Sequence, residues 1–141
     1  MIVDTHAHFT PQILLKALAT EIHRFPNIDL LEEDGKFRLS FMGMSPTRPL
    51  SPKLLDTDMR IQWMDSQSID KQVVGGWLDS FGYELPPEEG EAWSQYLNEF
   101  QMSGTDKDSR LTPLATVPLQ NGKRAAKVLE EALAGGFKGV M

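Results

Sequence analysis

The hydrophobic and polar positions of the chain follow two periods in turn, which predicts alternating strands and helices. Met1–Val3 is a short apolar run typical of a buried strand, and it leads directly into Asp4–His8. Apolar residues then recur at helical spacing over Ile13–Ile22, after Thr10 and Pro11, which are favourable as N-cap and first helical residue. The chain is therefore predicted to open with a strand and a helix.

The next segment returns to the two-residue period of a strand. Between Ile28 and Phe41, apolar residues alternate on either side of an Asp34-Gly35 step, a pattern that predicts a β-hairpin with a tight turn. A proline-rich loop follows, from Gly43 to Pro52. Hairpin and loop together, at about 28–52, are predicted to form an insertion between the first helix and the next core element.

The remaining chain repeats the strand and helix pattern. Strands are predicted at 71–77, 111–117 and 137–141, and helices at 56–68, 87–104 and 121–134. Asp56, Thr57 and Asp58 supply capping residues for the first of these helices, and Asn121 starts the last. This alternation is typical of a parallel α/β sheet with right-handed crossovers. A TIM (β/α)8 barrel needs about 250 residues and eight strands. The prediction is therefore the N-terminal portion of such a barrel: one partial domain, 1–141, of about four βα units plus the hairpin insertion, truncated after its fourth strand.

Composition narrows the function classes. The chain has 20 acidic and 14 basic residues, a net charge of −6, and no cysteine. An acidic chain without a basic cluster is a poor partner for nucleic acid or an anionic membrane surface. The absence of cysteine excludes disulfides and thiolate metal sites. No apolar run is long enough for a membrane span, and no secretory signal pattern is present. These features favour a soluble, cytoplasmic protein.

The candidate chemistry lies at the end of the first strand. Uniform alternation along a strand places Asp4, His6 and His8 on one face. A catalytic zinc takes three protein ligands and keeps one position open, so the histidine pair predicts half of a divalent metal site. Asp4 is a candidate acceptor that orients a ligand histidine, a weak ligand, or a loop cap. The alternative is two polar side chains on a half-exposed strand.

Four stretches together resemble one known family. Asp4-Thr5-His6-Ala7-His8 resembles an Asp-X-His-X-His motif at the end of a first barrel strand. Residues 60–73 are similar to the helix-to-strand segment that follows it, although Ser68 stands where many relatives carry glycine. Residues 114–120 and 136–140 resemble the third and fourth strands. The family is that of the metal-dependent amidohydrolase-related proteins, which includes aminocarboxymuconate-semialdehyde decarboxylase, and the resemblance covers nearly the whole chain.

The resemblance implies a TIM-type barrel with one divalent ion, commonly zinc. His6 and His8 are then two of its ligands, and the other ligands and a histidine that assists proton transfer lie beyond Met141. His23 falls on the polar side of the first helix and is predicted to be a surface residue. The implied activity is non-oxidative decarboxylation of an unsaturated or aromatic carboxylic acid. A hydrolase that acts on a C–O or C–N bond is the alternative.

One further site candidate follows from the same resemblance and three from their position after a predicted strand. In the decarboxylase branch a loop arginine followed by proline looks equivalent to Arg48-Pro49 and binds a substrate carboxylate, which suits the guanidinium fork. A solvent-facing arginine is the alternative. Trp77, Phe81 and Tyr83 follow the second predicted barrel strand and are candidates to line the pocket, or else they pack in the core.

Three interpretations of function remain open at this point. A metal-bound water can serve either a decarboxylase or a hydrolase, and Arg48 favours the decarboxylase because that reaction needs a carboxylate anchor. The third interpretation is an inactive partial barrel that needs its missing half. Association of copies of this chain is left open.

Overall fold

The computed structural model describes residues 1–141 and contains ten helices and strands. They are β1 (Val3–His8), α1 (Gln12–Glu21), β2 (Ile28–Glu33), β3 (Lys36–Phe41), α2 (Pro52–Leu55), α3 (Thr57–Ser66), β4 (Lys71–Gly75), α4 (Pro87–Thr105), β5 (Leu111–Pro113) and α5 (Gly122–Ala134). Short 3₁₀ turns lie at Ile22–Arg24 and Leu78–Ser80. None of the helices combines the length and apolar character that a membrane span needs.

The main sheet is parallel and has the order β1-β4-β5. Its third strand is shorter than predicted, because β5 ends at Pro113, which has no N–H to donate to a ladder. The predicted fourth strand is reduced to a single parallel bridge between Val140 and Ala115. Backbone hydrogen bonds from Ala115 to Gly139 and from Met141 to Ala115 still hold this segment beside the sheet. The predicted α/β fold with parallel strands is confirmed.

The predicted hairpin is confirmed, with its turn where the sequence indicated. Asp34 and Gly35 have φ values of 52° and 70°, the pair of positive angles that a type I′ turn needs. β2 and β3 pair antiparallel from Ile28 opposite Phe41 to Glu33 opposite Lys36 and form a sheet of their own. The inward side chains of this hairpin belong to the largest core cluster of the molecule.

The capping predictions are confirmed in part. The Asp56 carboxylate accepts from the backbone N–H of Met59, and the Asn121 side chain caps α5 in the same way. The predicted Thr10 cap is wrong. Pro11 takes the N-cap position of α1 without a side-chain bond, and Thr10 is buried with its backbone N–H bound to the Leu54 carbonyl.

The core lies between the hairpin, α1 and α4, and it supports the loop after β4. Trp93 of α4 is fully buried against the rings of Phe25, Phe41 and Tyr96. Its indole Nε1–H donates to the Ser80 carbonyl at 2.7 Å. This bond ties the 3₁₀ turn that follows β4 to the core. The polar residues of that loop are therefore presented from a supported backbone.

Candidate functional site

A β-bulge interrupts β1 just before its carboxyl end. Asp4 pairs with Gln72 and Ala7 pairs with Val74, so three steps along β1 match two steps along β4. Gln72 and Val74 lie on one face of β4, and Asp4 and Ala7 therefore share that face of the sheet. The same face packs against α3, since Ala7 and Val74 lie in one apolar cluster with Met64.

His6 and His8 lie on the opposite face of the sheet. They flank Ala7 along the strand, and His8 pairs with Gly75 of β4. Their rings are neighbours, with centroids 4.9 Å apart and planes at 86°. The expectation that Asp4 shares their face is wrong, because the alternation of a regular strand does not continue through a bulge.

The ring of His8 is oriented by the backbone that follows β4. Its Nδ1 lies 2.9 Å from the carbonyl oxygen of Gly76. A carbonyl only accepts hydrogen bonds, so Nδ1 carries a proton, and in a neutral imidazole with this tautomer the free lone pair is on Nε2. Histidine ligands of metals are commonly fixed in this way, with one ring nitrogen bound to a carbonyl and the other free for the ion.

The two histidines fit part of a metal site. Imidazoles that bind one zinc ion at ~2.1 Å have ring centroids roughly 5 Å apart when the angle between them is near tetrahedral, and the observed 4.9 Å separation agrees. Residues 1–141 contain no cluster of three or more His, Cys, Asp and Glu side chains that could bind a metal together. A metal ion at this position would therefore meet two imidazole nitrogens from these residues.

Arg48 lies in the loop before α2 and forms a two-pronged ion pair with Asp79. Its Nε and Nη2 donate to the two carboxylate oxygens at 2.8 and 2.9 Å. These hydrogen bonds raise the pKa of Arg48 and lower the pKa of Asp79. The guanidinium also lies 5.8 Å from the centroid of the Trp77 ring. Its side chain remains 75% exposed, and the edge formed by Nη1 and the second Nη2 hydrogen is not used by Asp79.

One loop connects these features. The Gly76 carbonyl accepts a hydrogen bond from His8, the Trp77 ring lies beside the Arg48 guanidinium, and the Asp79 carboxylate accepts two hydrogen bonds from that guanidinium. The ion pair of Asp79 with Arg48 was not predicted from the sequence. Its position four residues after a parallel strand was the available signal.

The predicted aromatic residues divide into two groups. Trp77 and Phe81 are buried in the largest core cluster, whereas Tyr83 is half-buried against the Phe81 ring. Burial raises the pKa of Tyr83. Phe81 and Tyr83 line an open cavity of about 240 Å³ together with Asp79 and Phe41. His23 is exposed on the turn after α1, as predicted.

Several known proteins are similar to this chain in sequence or in structure. The chain is 26% identical over 129 residues to a 2-amino-3-carboxymuconate-6-semialdehyde decarboxylase from Caenorhabditis elegans, a match that covers 89% of the chain and 31% of that protein. An amidohydrolase from Mycobacterium avium subsp. paratuberculosis superposes with a TM-score of 0.68 at 15% identity. This match covers 97% of the present chain and 48% of the amidohydrolase.

A third similarity is to a dihydroxybenzoic acid decarboxylase from Polaromonas, whose structure holds manganese and the inhibitor 2-nitroresorcinol. The two structures superpose with a TM-score of 0.66 at 18% identity. The match covers 99% of the present chain and 37% of the Polaromonas protein. The chain has the fold of the N-terminal part of an amidohydrolase barrel. It spans about a third to a half of the length of these three similar proteins. No model of a protein family matches the chain.

Proposed function

We propose that residues 1–141 form the N-terminal part of a metal-dependent non-oxidative decarboxylase that acts on an unsaturated or aromatic carboxylic acid. The observation that carries this proposal is the hydrogen bond between His8 Nδ1 and the Gly76 carbonyl, which leaves Nε2 available for a metal beside His6. The similar Polaromonas decarboxylase holds manganese. The metal is therefore a divalent ion, zinc or manganese.

In the proposed mechanism the chain binds the ion and the substrate carboxylate. A divalent ion bound there lowers the pKa of a coordinated water and polarises substrate oxygens. His6 and His8 hold it through ring nitrogens. Arg48 binds the substrate carboxylate with the edge of its guanidinium that Asp79 leaves open, and Asp79 keeps the fork in place. Phe81 and Tyr83 form an apolar wall for a planar substrate.

A hydrolase that cleaves a C–O or C–N bond is the second candidate, since one of the similar structures is an amidohydrolase. His6 and His8 would then hold an ion that supplies an activated water for attack on a carbonyl. Arg48 favours the decarboxylase, because it offers a second charged contact to a carboxylate. In either case the activity belongs to the complete barrel, as His6 and His8 are only part of a ligand set.

Decarboxylation is tested on the purified protein that contains residues 1–141. After treatment with a chelator and reloading with Mn²⁺ or Zn²⁺, CO2 release is measured with 2,6-dihydroxybenzoate as probe, beside hydrolysis of p-nitrophenyl acetate. We expect CO2 release that is lost on chelation and restored by metal. Ester cleavage without CO2 release from any aromatic acid tested would replace the proposal by the hydrolase. Activity that is indifferent to chelation would overturn both.

The Arg48→Ala variant tests the binding of the substrate carboxylate independently of metal binding. We expect KM for the carboxylate to rise about 10- to 100-fold with little change in kcat, because hydrogen bonds to a charged group contribute roughly 1.5–3 kcal/mol. Arg110→Ala is the matched control. Arg110 also forms a two-pronged pair, with Asp108, but just before the amino end of β5. Equal KM values for Arg48→Ala and the control would exclude Arg48 from the site.

A further inference from the structure

Arg60 is a buried arginine on the face of the sheet behind the two histidines. It belongs to α3 and is only 8% exposed. Its Nη2 donates to the backbone carbonyls of His8 and Lys53 at 2.5 and 3.3 Å, and its Nη1 donates to the side-chain Oε1 of Gln72 at 2.7 Å. The guanidinium lies 5.0 Å from the centroid of the Phe9 ring. A buried charge of this kind is costly unless its partners are well placed.

Gln72 connects Arg60 to Asp4. Its side chain is 1% exposed, its Oε1 accepts from Arg60, and its Nε2 donates to the Asp4 carboxylate at 2.8 Å. The two partners settle the orientation of the amide, since a guanidinium only donates and a carboxylate only accepts. Burial lowers the pKa of Arg60, and the negative charge on Asp4 opposes this change.

Asp4 completes the connection to the first histidine. Its other carboxylate oxygen accepts from the backbone N–H of His6 at 3.2 Å. His6 lies within the bulge, where a strand loses regular ladder partners and its backbone groups need others. The chain of bonds from Arg60 therefore reaches the backbone of His6 through Gln72 and Asp4, and the backbone of His8 directly.

We propose that Arg60, Gln72 and Asp4 are positioning residues that hold the bulge of β1 so that His6 and His8 project together to the opposite face. They form no hydrogen bond with either imidazole, and they act through the backbone. This inference rests on the proposed metal site for its functional meaning. Asp4 thus binds the backbone of His6, whereas the sequence predicted that it would accept a hydrogen bond from a histidine ring. No motif indicated a positioning role for Arg60 or Gln72.

The first test is Gln72→Met in the purified protein that contains residues 1–141. Methionine has nearly the same length as glutamine and suits a buried position, but it cannot form the hydrogen bonds that Gln72 forms with Arg60 and Asp4. With ¹⁵N-labelled histidine, this chain contributes three backbone amide signals. In the metal-free variant we expect the His6 signal to shift and its amide to exchange at least about 10-fold faster, while His23 stays unchanged. We also expect a 10- to 100-fold loss of Zn²⁺ affinity, the range for residues that support a ligand.

Gln101→Met is the matched control, because Gln101 is also buried and also bonded to β4, through the Val74 carbonyl. We expect it to lower stability without moving the His6 signal or the Zn²⁺ affinity. Asp4→Asn is a milder second variant that keeps the fold and removes the charge; it should change His6 in the same direction. If Gln72→Met and Asp4→Asn both leave the His6 amide and the Zn²⁺ affinity at wild-type values, the positioning role is wrong.

The two proposals fail in distinguishable ways. A wild-type protein that binds no Zn²⁺ or Mn²⁺ overturns the proposed metal function, whereas the His6 amide in the metal-free protein still decides whether the network holds the bulge. A normal His6 amide in the variants, together with normal metal binding, overturns the positioning role alone.

Discussion

Replacing Trp93 by alanine will lower the free energy of unfolding by about 4–5 kcal/mol, which is the upper end of the range for large-to-small changes in a core. Trp93 has 0% exposure and packs against three aromatic rings. Its loss also leaves the buried carbonyl of Ser80 without the indole N–H that binds it. Urea unfolding followed by circular dichroism measures the change.

Trp63→Ala is the control for this variant. Trp63 lies on α3 with 47% of its surface exposed, and we expect a change of less than about 1 kcal/mol there. Trp93→Phe should lie between the two, because phenylalanine keeps most of the packing but cannot donate to Ser80. If Trp93→Ala and Trp63→Ala have the same effect, the cluster of rings is not the centre of stability.

The core around Trp93 also supports the candidate site. The turn that Trp93 holds, Leu78–Ser80, includes Asp79 and follows directly on Trp77. Both of these residues contact Arg48. Partial loss of the core should therefore loosen the ion pair between Arg48 and Asp79 before it affects His6 and His8, which lie on β1.

Features that depend on neighbours in sequence were predicted well. The Asp34-Gly35 step has the two residues that a type I′ turn favours, and its φ angles are positive as expected. Asp56 and Asn121 cap their helices through bonds that span three residues. Each of these features is decided within a few residues, so the local pattern contains the necessary information.

Features that depend on pairing across the sheet were not predicted. The bulge in β1 exists only relative to β4, because Ala7 pairs with Val74 where a regular ladder would place His6. The expectation for Asp4 failed for this reason. The ion pair between Arg48 and Asp79 likewise joins two loops 31 residues apart. No periodicity indicates which acidic residue a loop arginine will meet.

Resemblance to known proteins supplied what the local pattern could not. The pattern predicted four parallel strands, and the structure has three with one further bridge. Their place in an eight-stranded barrel was predicted from the alternation of strands and helices, the motifs then indicated the family, and the similar structures confirm the fold. The roles of His6, His8 and Arg48 stay predictions, because they need chemistry to be measured.

Replacing either His6 or His8 by alanine will lower Zn²⁺ affinity about 100-fold or more, and the double variant will bind at background level. Structural zinc sites gain roughly 10–16 kcal/mol from their full ligand set, so one ligand of four contributes about 3 kcal/mol, or about two orders of magnitude in Kd. Competition with a chromogenic chelator measures the affinity in the purified protein. CO2 release should fall in parallel.

His23→Ala is the matched control, because it removes the same side chain from an exposed turn. Its affinity should equal that of the wild-type protein, which excludes nonspecific binding to surface histidines. The two site variants also make a distinct comparison with each other. His8 is oriented by the Gly76 carbonyl and His6 is not in contact with it, so we expect the pre-oriented His8 to account for the larger share of the affinity. An unchanged affinity in both variants would mean that this end of β1 does not bind metal.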